Sequence, residues 1–176
     1  MKHIIAIIIL CICFTSCDTL DELTKFNISY DEQVSIPTAS PIDLPFNIST
    51  PKINTNSDSK FNSNDTAKNL VEEIQLTEFK LTLTKPDTED LSFLETIEVY
   101  IAADDLPDTK IAWNATPIQN LSNELQLETS NEDLKAYIFK EDFYLKFKFS
   151  TDELLTQEHD ININTTFFVD AKILGI

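Results

Sequence analysis

The amino-acid sequence predicts an all-β fold, an antiparallel β-sandwich. Apolar residues recur at every second position over most of the chain, and stretches rich in turn-forming residues separate these segments. Such alternation is typical of strands with one buried face. Helical spacing of apolar residues is confined to two short stretches. Because parallel strands need long crossover connections, usually helical, this shortage of helix indicates antiparallel pairing.

The predicted strands follow one another along the chain as alternating segments. The first covers 26–36, with a break near Asp31 and Glu32, and the second covers 44–48 beside two prolines, which are typical of an edge strand. Further segments cover 74–83, 97–101, 110–113, 121–127, 143–149 and 161–173. About eight strands joined by polar turns favour a sandwich of the immunoglobulin-like type.

Within the segment 74–83 the apolar residues change parity between Leu76 and Phe79. One extra residue in a strand moves the following side chains to the other face, so a β-bulge is predicted near Thr77 and Glu78. The strand is expected to end at the Lys-Pro-Asp sequence that follows. The acidic segment ADDLPD, 103–108, is predicted to form the turn of a hairpin.

Two short helices are predicted as connectors between strands. The first, 66–73, follows polar residues that can cap a helix and carries apolar residues at helical spacing. The second covers 130–138, where a sequence like a capping box precedes apolar residues at i, i+3 and i+4 spacing. The polar segment 54–65 is predicted to be a loop that exposes Phe61.

The N-terminal residues have the three parts of a secretory signal peptide. A charged start precedes an apolar run from Ile4 to Phe14, and the small residues Thr15 and Ser16 follow. The apolar run is shorter than the roughly 20 residues that a helix needs to cross a bilayer core. We therefore expect residues 1–16 to be cleaved and not to remain as a membrane anchor.

The signal segment ends in the sequence FTSC at Cys17, which resembles the lipobox of bacterial lipoproteins in the relaxed form common in Bacteroidota. The resemblance implies that the Cys17 thiol carries a diacylglycerol, whereas Cys11 and Cys13 leave with the signal peptide. Two or three acyl chains hold a protein stably on a membrane. We expect 17–24 to be the lipidated cysteine with a short linker, and 25–176 to be the folded domain.

Several short motifs are spread along the rest of the chain. They are LTKF at 23–26, LPF at 44–46, ISTP at 48–51, F-x-x-N-D-T at 61–66, KIAW at 110–113, TDE at 151–153 and FFVDAKILG at 167–175. Together with the lipobox-like start they resemble a group of small uncharacterised lipoproteins from Bacteroidota. The resemblance implies a lipid-anchored sandwich in the cell envelope, and it brings no activity with it.

Charge and glycine content exclude several classes of function. The chain has 13 basic and 30 acidic residues, with a net charge of −17, so it repels nucleic acids and anionic head groups. Its one glycine is Gly175, whereas phosphate-binding loops and the nucleophile elbow of α/β-hydrolases need glycine at defined positions. We expect no nucleic-acid partner, no cofactor and no enzymatic activity.

Few residues are candidates for a chemical site. His159 is the one histidine beyond the N-terminal segment and has the inward parity of the last strand, so a structural role is predicted instead of a catalytic triad or a zinc site. Asp104, Asp105 and Asp108 could supply carboxylate oxygens to calcium. The turn lacks the glycine of an EF-hand loop, and a solvated acidic turn is the alternative.

Three aromatic residues are candidates for binding a glycan, and one threonine is a candidate for covalent O-glycosylation. Tyr100 and Tyr144 have outward parity on their strands, and Phe61 lies in the polar segment 54–65, so each could stack on a sugar. Thr66 in the sequence Asp-Thr-Ala matches the short pattern of protein O-glycosylation in Bacteroidota. Glycosylation there would require an exposed loop.

The sequence therefore leads to a functional expectation without a specific activity. We expect a lipid-anchored protein of the cell envelope, in the outer membrane, with its periplasmic and surface faces both open as locations. It is expected to act without catalysis, as an accessory module that binds a protein partner of the envelope. A glycan-binding surface lipoprotein and a calcium-stabilised adhesion-type domain are the alternatives.

Overall fold

The computed structural model describes residues 24–38, 44–114 and 122–172, which form ten strands and two short α-helices. The strands are β1 Phe26–Ile36, β2 Phe46–Ser49, β3 Ile53–Asn54, β4 Val71–Lys85, β5 Leu94–Ala102, β6 Thr109–Trp113, β7 Glu124–Gln126, β8 Glu128–Thr129, β9 Asp142–Thr151 and β10 His159–Ala171. The helices are α1 Ser57–Asn62 and α2 Lys135–Ile138, and 3₁₀ turns cover Lys68–Leu70 and Leu91–Phe93.

The strands form two antiparallel sheets. One sheet has the order β1-β10-β4-β7, and the other has the order β2-β9-β5-β6-β8 with β3 beside β9. The predicted all-β antiparallel sandwich with short connecting helices is confirmed. The strand order refines its immunoglobulin-like description: β1 pairs with β10, β2 with β9, β4 with β7 and β5 with β6. This nested pairing is the order of a jelly roll.

The nested pairing gives the sandwich two distinct ends. The terminal end holds the start of β1 and the finish of β10, since Phe26 is opposite Val169. The opposite end, named the loop end here, holds the segments 86–93 and 152–158, because Ile36 is opposite His159 and Leu94 is opposite Thr151. Leu44 belongs to the same end, since it precedes β2 and Phe46 of β2 is opposite Phe149 near the end of β9.

Aromatic side chains from both sheets fill the space between them. Phe79 of β4 meets Phe147 of β9 with their ring centroids 6.1 Å apart, and Tyr30 of β1 meets Phe143 of β9 at 5.2 Å. Both pairs are edge-to-face, the arrangement that aromatic quadrupoles favour. The apolar residues that alternate along each strand are thereby buried against the facing sheet.

The strand register confirms the bulge that parity predicts in β4. Thr166 is opposite Glu78 whereas Phe167 is opposite Leu76, so Thr77 is the additional residue. The strand ends at Lys85, as expected, and the hairpin of β5 and β6 is also confirmed. The predicted break near Asp31 and Glu32 is wrong, because β1 runs without interruption beside β10.

The helix predicted before β4 lies at other residues than expected, at 57–62 and not at 66–73. Residues 66–73 form only a 3₁₀ turn before the start of β4, because pairing with β10 draws the residues from Val71 onward into the sheet. The segment 54–65 contains α1, not only a loop. Phe61 is fully buried between Phe26 and Phe139, with ring centroids 6.2 and 5.9 Å away, so the expected exposure of Phe61 is wrong as well.

Replacing Phe147 by Ala tests whether the two sheets depend on this aromatic layer. Phe147 is 1% exposed, so its truncation leaves a cavity that costs about 3–5 kcal/mol of unfolding free energy. Lys148→Ala, on the outer face of the same strand, is the matched control and should cost less than about 1 kcal/mol. Urea denaturation measures both, and equal costs for the two variants would contradict the assignment.

Candidate functional site

His159 begins β10 at the loop end, where its imidazole is buried beneath the segment 86–93. The ring is 1% exposed and lies on Phe93 with the centroids 4.5 Å apart. Its Nε2 is 2.6 Å from Oε2 of Glu89, and its Nδ1 is 3.0 Å from the carbonyl oxygen of Gln157. Nε2 of Gln157 donates to the other Glu89 oxygen at 2.6 Å.

Both ring nitrogens of His159 face hydrogen-bond acceptors. A neutral imidazole has one N–H and can donate to one of them, whereas an imidazolium donates to both the Gln157 carbonyl and the Glu89 carboxylate. Hydrogen bonds from Gln157 and then from His159 lower the pKa of the Glu89 carboxyl group. His159, Glu89 and Gln157 thus form a hydrogen-bonded clamp that joins the segments 86–93 and 152–158.

The clamp matches the structural role predicted for His159. A triad histidine needs one nitrogen directed at a nucleophile, but here both nitrogens are engaged by Gln157 and Glu89. The neighbouring carboxylate of Asp160 is also occupied, since it accepts a hydrogen bond from Ser35 at 2.5 Å and pairs with Lys85 at 3.1 Å. The sequence alone gives no signal for Glu89, which lies in a polar segment far from His159 along the chain.

The surface around the clamp combines exposed leucines with acidic residues. Leu44 is 62% exposed and Leu154 is 56% exposed, and they are the large apolar side chains with high exposure in the described part of the chain. Leu154 and His159 line a cleft of about 410 Å³ with Glu89, Asp90 and Glu153. Exposed acidic residues of the same end are Asp87, Glu89, Asp152, Glu153 and Glu158.

The two glycan candidates Tyr100 and Tyr144 lie on one surface, the outer face of the six-stranded sheet. Tyr100 is opposite Lys146, and Tyr144 is two residues before Lys146 on β9, so both rings are on the same side of the sheet. Both side chains are partly exposed. The hydroxyl of Tyr100 donates to Glu98 at 3.0 Å, and the ammonium of Lys146 lies 5.3 Å from the Tyr144 ring.

The three aspartates of the calcium candidate have separate surroundings. Asp104 pairs with Lys52 at 3.0 Å, and Asp108 pairs with Lys146 at 2.8 Å. Asp105 has a left-handed backbone with φ of 63°. Within residues 24–38, 44–114 and 122–172, no group of three or more histidine, cysteine or acidic side chains is placed to hold a metal ion. Asp104 and Asp108 thus form ion pairs with lysines, and the three aspartates do not form a metal-binding cluster among the described residues.

Thr66 does not have the exposure that glycosylation requires. It is 5% exposed, and its hydroxyl oxygen is buried without a hydrogen-bond partner. A transferase could not reach this hydroxyl in the folded domain. The buried position of Thr66 is therefore not the exposed one that its glycosylation would require, and glycosylation at Thr66 stays a prediction.

The membrane-related residues are outside the described part of the chain. The signal segment 1–16 and Cys17 precede the first described residue, so their assignment stays a prediction. Among the residues that are described, no helix has the length and apolar content needed to cross a bilayer.

Comparison with known proteins assigns no family. No family model matches the sequence, and no curated protein matches it. Solved structures with weak similarity include N-glycanase F (PNGase F), with 12% identity, a TM-score of 0.42 and coverage of 84% of this chain. The chain spans 42% of that PNGase F chain. FLHE has 8% identity and a TM-score of 0.35, with coverage of 83% of this chain and 98% of the FLHE chain. A turnip yellow mosaic virus structure has 13% identity and a TM-score of 0.32, with coverage of 86% of this chain and 84% of the viral chain.

Glu89→Gln tests the clamp through its pH dependence. Because the folded protein lowers the pKa of Glu89, the carboxylate stabilises the fold above about pH 4.3, the pKa of an unperturbed glutamate, and this contribution is lost as the pH falls through the lowered value. We expect a cost of about 1 kcal/mol at pH 7, since Glu89 is partly exposed. The cost should shrink toward zero in acid.

Urea denaturation from pH 7 to pH 3 measures this difference. Glu153→Gln removes another acidic residue of the same cleft and serves as the control, with a cost close to zero at pH 7. A Glu89→Gln cost that stays constant across the acid range would contradict the clamp.

Proposed function

We propose that the protein is a lipid-anchored accessory protein of the bacterial cell envelope, in the outer membrane, which binds a protein partner without catalysis. The lipid would be carried by Cys17, for which the support is the signal-like start and the lipobox-like FTSC sequence. The linker from Asp18 to Thr24 is about seven residues and reaches at most about 25 Å. The domain would therefore remain close to the membrane that holds it.

The position of the exposed leucines supports the binding role and carries the proposal. β1 begins at the terminal end, next to the linker, whereas Leu44 and Leu154 lie at the loop end. An anchor at Cys17 would hold the terminal end near the membrane and direct the loop end away from it. Exposed leucines at that end are placed to meet another protein, since burial in an interface would remove their apolar surface from water.

The charge of the loop end indicates the chemistry of the partner. Acidic residues surround Leu154. The segment 86–93 contains no lysine, and Lys85, directly before it, already pairs with Asp160. A partner surface that combines apolar side chains with lysine or arginine would complement this end in both respects. The burial of His159 and its bonds to Glu89 and Gln157 fix the shape of the cleft before binding.

Cys17→Ser tests the lipid anchor. Loss of the thiol removes the only attachment point predicted for the acyl chains, so the variant should fail to incorporate radiolabelled palmitate and should leave the membrane fraction. Cys13→Ser is the matched control, because Cys13 belongs to the predicted signal segment, and it should be labelled like the wild type. Palmitate labelling of the Cys17→Ser variant, or none in the wild type, would contradict the anchor.

Photo-crosslinking in cells tests the partner-binding surface. A photoreactive amino acid at position 154 should give one discrete adduct, and Leu44→Ser should reduce that adduct because it removes the other exposed leucine of the loop end. The same photoreactive residue at position 80, on the outer face of the four-stranded sheet, is the control and should give none. Equal adducts at both positions, or none at 154, would oppose the proposal.

A further inference from the structure

Three aromatic residues form a diagonal line on the outer face of the six-stranded sheet. Residues that are opposite one another on neighbouring strands share a face. Trp113 of β6 is opposite Glu98, whose next outward neighbour on β5 is Tyr100. Tyr100 is opposite Lys146 of β9, and Tyr144 is the next outward residue on that strand. Such diagonal neighbours are about 7–8 Å apart, so the line crosses three adjacent strands.

Two shallow hollows lie along this line. One has a volume of about 400 Å³ and is lined by Asn47, Ser49, Tyr100, Asp108, Lys146 and Lys148. The other has a volume of about 330 Å³ and is lined by Pro45, Glu98, Lys110, Trp113, Asn114 and Lys148. Because Lys148 borders both hollows, a ligand longer than one sugar ring could occupy them together.

We propose that this face binds a neutral oligosaccharide across both hollows, with Tyr100 and Trp113 as its stacking platforms. The face of an aromatic ring packs well against the apolar C–H face of a sugar ring. The surrounding groups include the ammonium of Lys148 as a donor and the carboxylates of Glu98 and Asp108 as acceptors. Sugar hydroxyls both donate and accept hydrogen bonds, and so they match this mixed set.

Internal pairing of the charges favours a neutral ligand over a charged one. Glu98 lies 3.4 Å from Lys110 and 3.6 Å from Lys148, and Asp108 lies 2.8 Å from Lys146. An anionic glycan would have to replace these ion pairs and would meet a chain with a net charge of −17. A neutral glycan could form its hydrogen bonds while the ion pairs persist.

The platforms are oriented before a ligand arrives. The Tyr100 hydroxyl donates to Glu98 at 3.0 Å, which fixes the ring on its strand. The ammonium of Lys110 lies 5.3 Å from the centroid of the Trp113 ring. A cation–π contact at an exposed site is weak, so a sugar can take the place of the ammonium over the ring while Lys110 keeps its ion pair with Glu98.

This inference is independent of the partner-binding proposal. The glycan would occupy the sheet face, whereas the protein partner would occupy the loop end. The cleft at Leu154 shares no lining residue with the two hollows, so variants of Leu154 leave the hollows intact and variants of Tyr100 and Trp113 leave that cleft intact. Failure of one proposal therefore does not imply failure of the other.

Trp113 provides a direct reporter for the experiment because it is the only tryptophan in the chain. The purified protein is titrated with maltohexaose, cellohexaose, laminarihexaose and chitohexaose while tryptophan emission is recorded, and calorimetry gives the affinity. We expect at least one hexasaccharide to bind with a dissociation constant in the millimolar range or tighter and to shift the emission. Binding should be unaffected by added salt.

Variants of Tyr100 locate the binding site. Tyr100→Ala should weaken binding by about tenfold, which corresponds to loss of one aromatic stacking contact. Tyr100→Phe keeps the ring and loses only the hydrogen bond to Glu98, so it should bind much more tightly than Tyr100→Ala and only slightly more weakly than the wild type, which separates stacking from a general loss of stability. Lys80→Ala, on the outer face of the other sheet, is the control and should have no effect.

Three results would overturn the proposal. The first is the absence of binding to all four neutral hexasaccharides at millimolar concentration. The second is binding that leaves Trp113 emission unchanged and persists undiminished in a folded Tyr100→Ala variant, because the sugar would then lie elsewhere. The third is binding restricted to anionic polysaccharides with strong salt dependence, which would show that charge and not stacking selects the ligand.

Discussion

Contact between the inner faces of the two sheets is the constraint on which the rest of the structure depends. Phe147 and Phe143 of β9 meet Phe79 and Tyr30 of the opposite sheet, and the resulting layer excludes water from the alternate residues of every long strand. Since side chains alternate across a strand, fixing one set inward directs the other set outward. The positions of Tyr100 and Trp113 on the outer face follow from this packing.

The two ends of the sandwich have different characters because the strands are paired in a nested order. The terminal end is closed by α1 and α2, whose buried Phe61 and Tyr137 extend the core. The loop end is joined by the polar clamp of His159 and Glu89 and leaves Leu154 exposed. An apolar closure and a polar one thus occur in one small domain.

The sequence predicts the parts of this fold that depend on local periodicity. The alternation in β9 and β10 and the parity change at Thr77 are properties of neighbouring residues, so the strands and the bulge could be read directly. The burial of Phe61 depends on Phe26 and Phe139, which are distant in the chain, and for that reason the segment reads as a polar loop. The partnership of His159 with Glu89 likewise follows from topology and leaves no local pattern.

The neighbours of β10 have a consequence for how the domain folds. This strand follows the other nine described strands in the sequence, yet it lies between β1 and β4 along nearly its whole length and supplies the only sheet partner described for β1. The four-stranded sheet therefore cannot be completed until β10 pairs, and non-local pairing of this kind is slow. Before that step the edges of β1 and β4 lack the strand that covers them, and unpaired strand edges are the surfaces through which folding chains associate with one another.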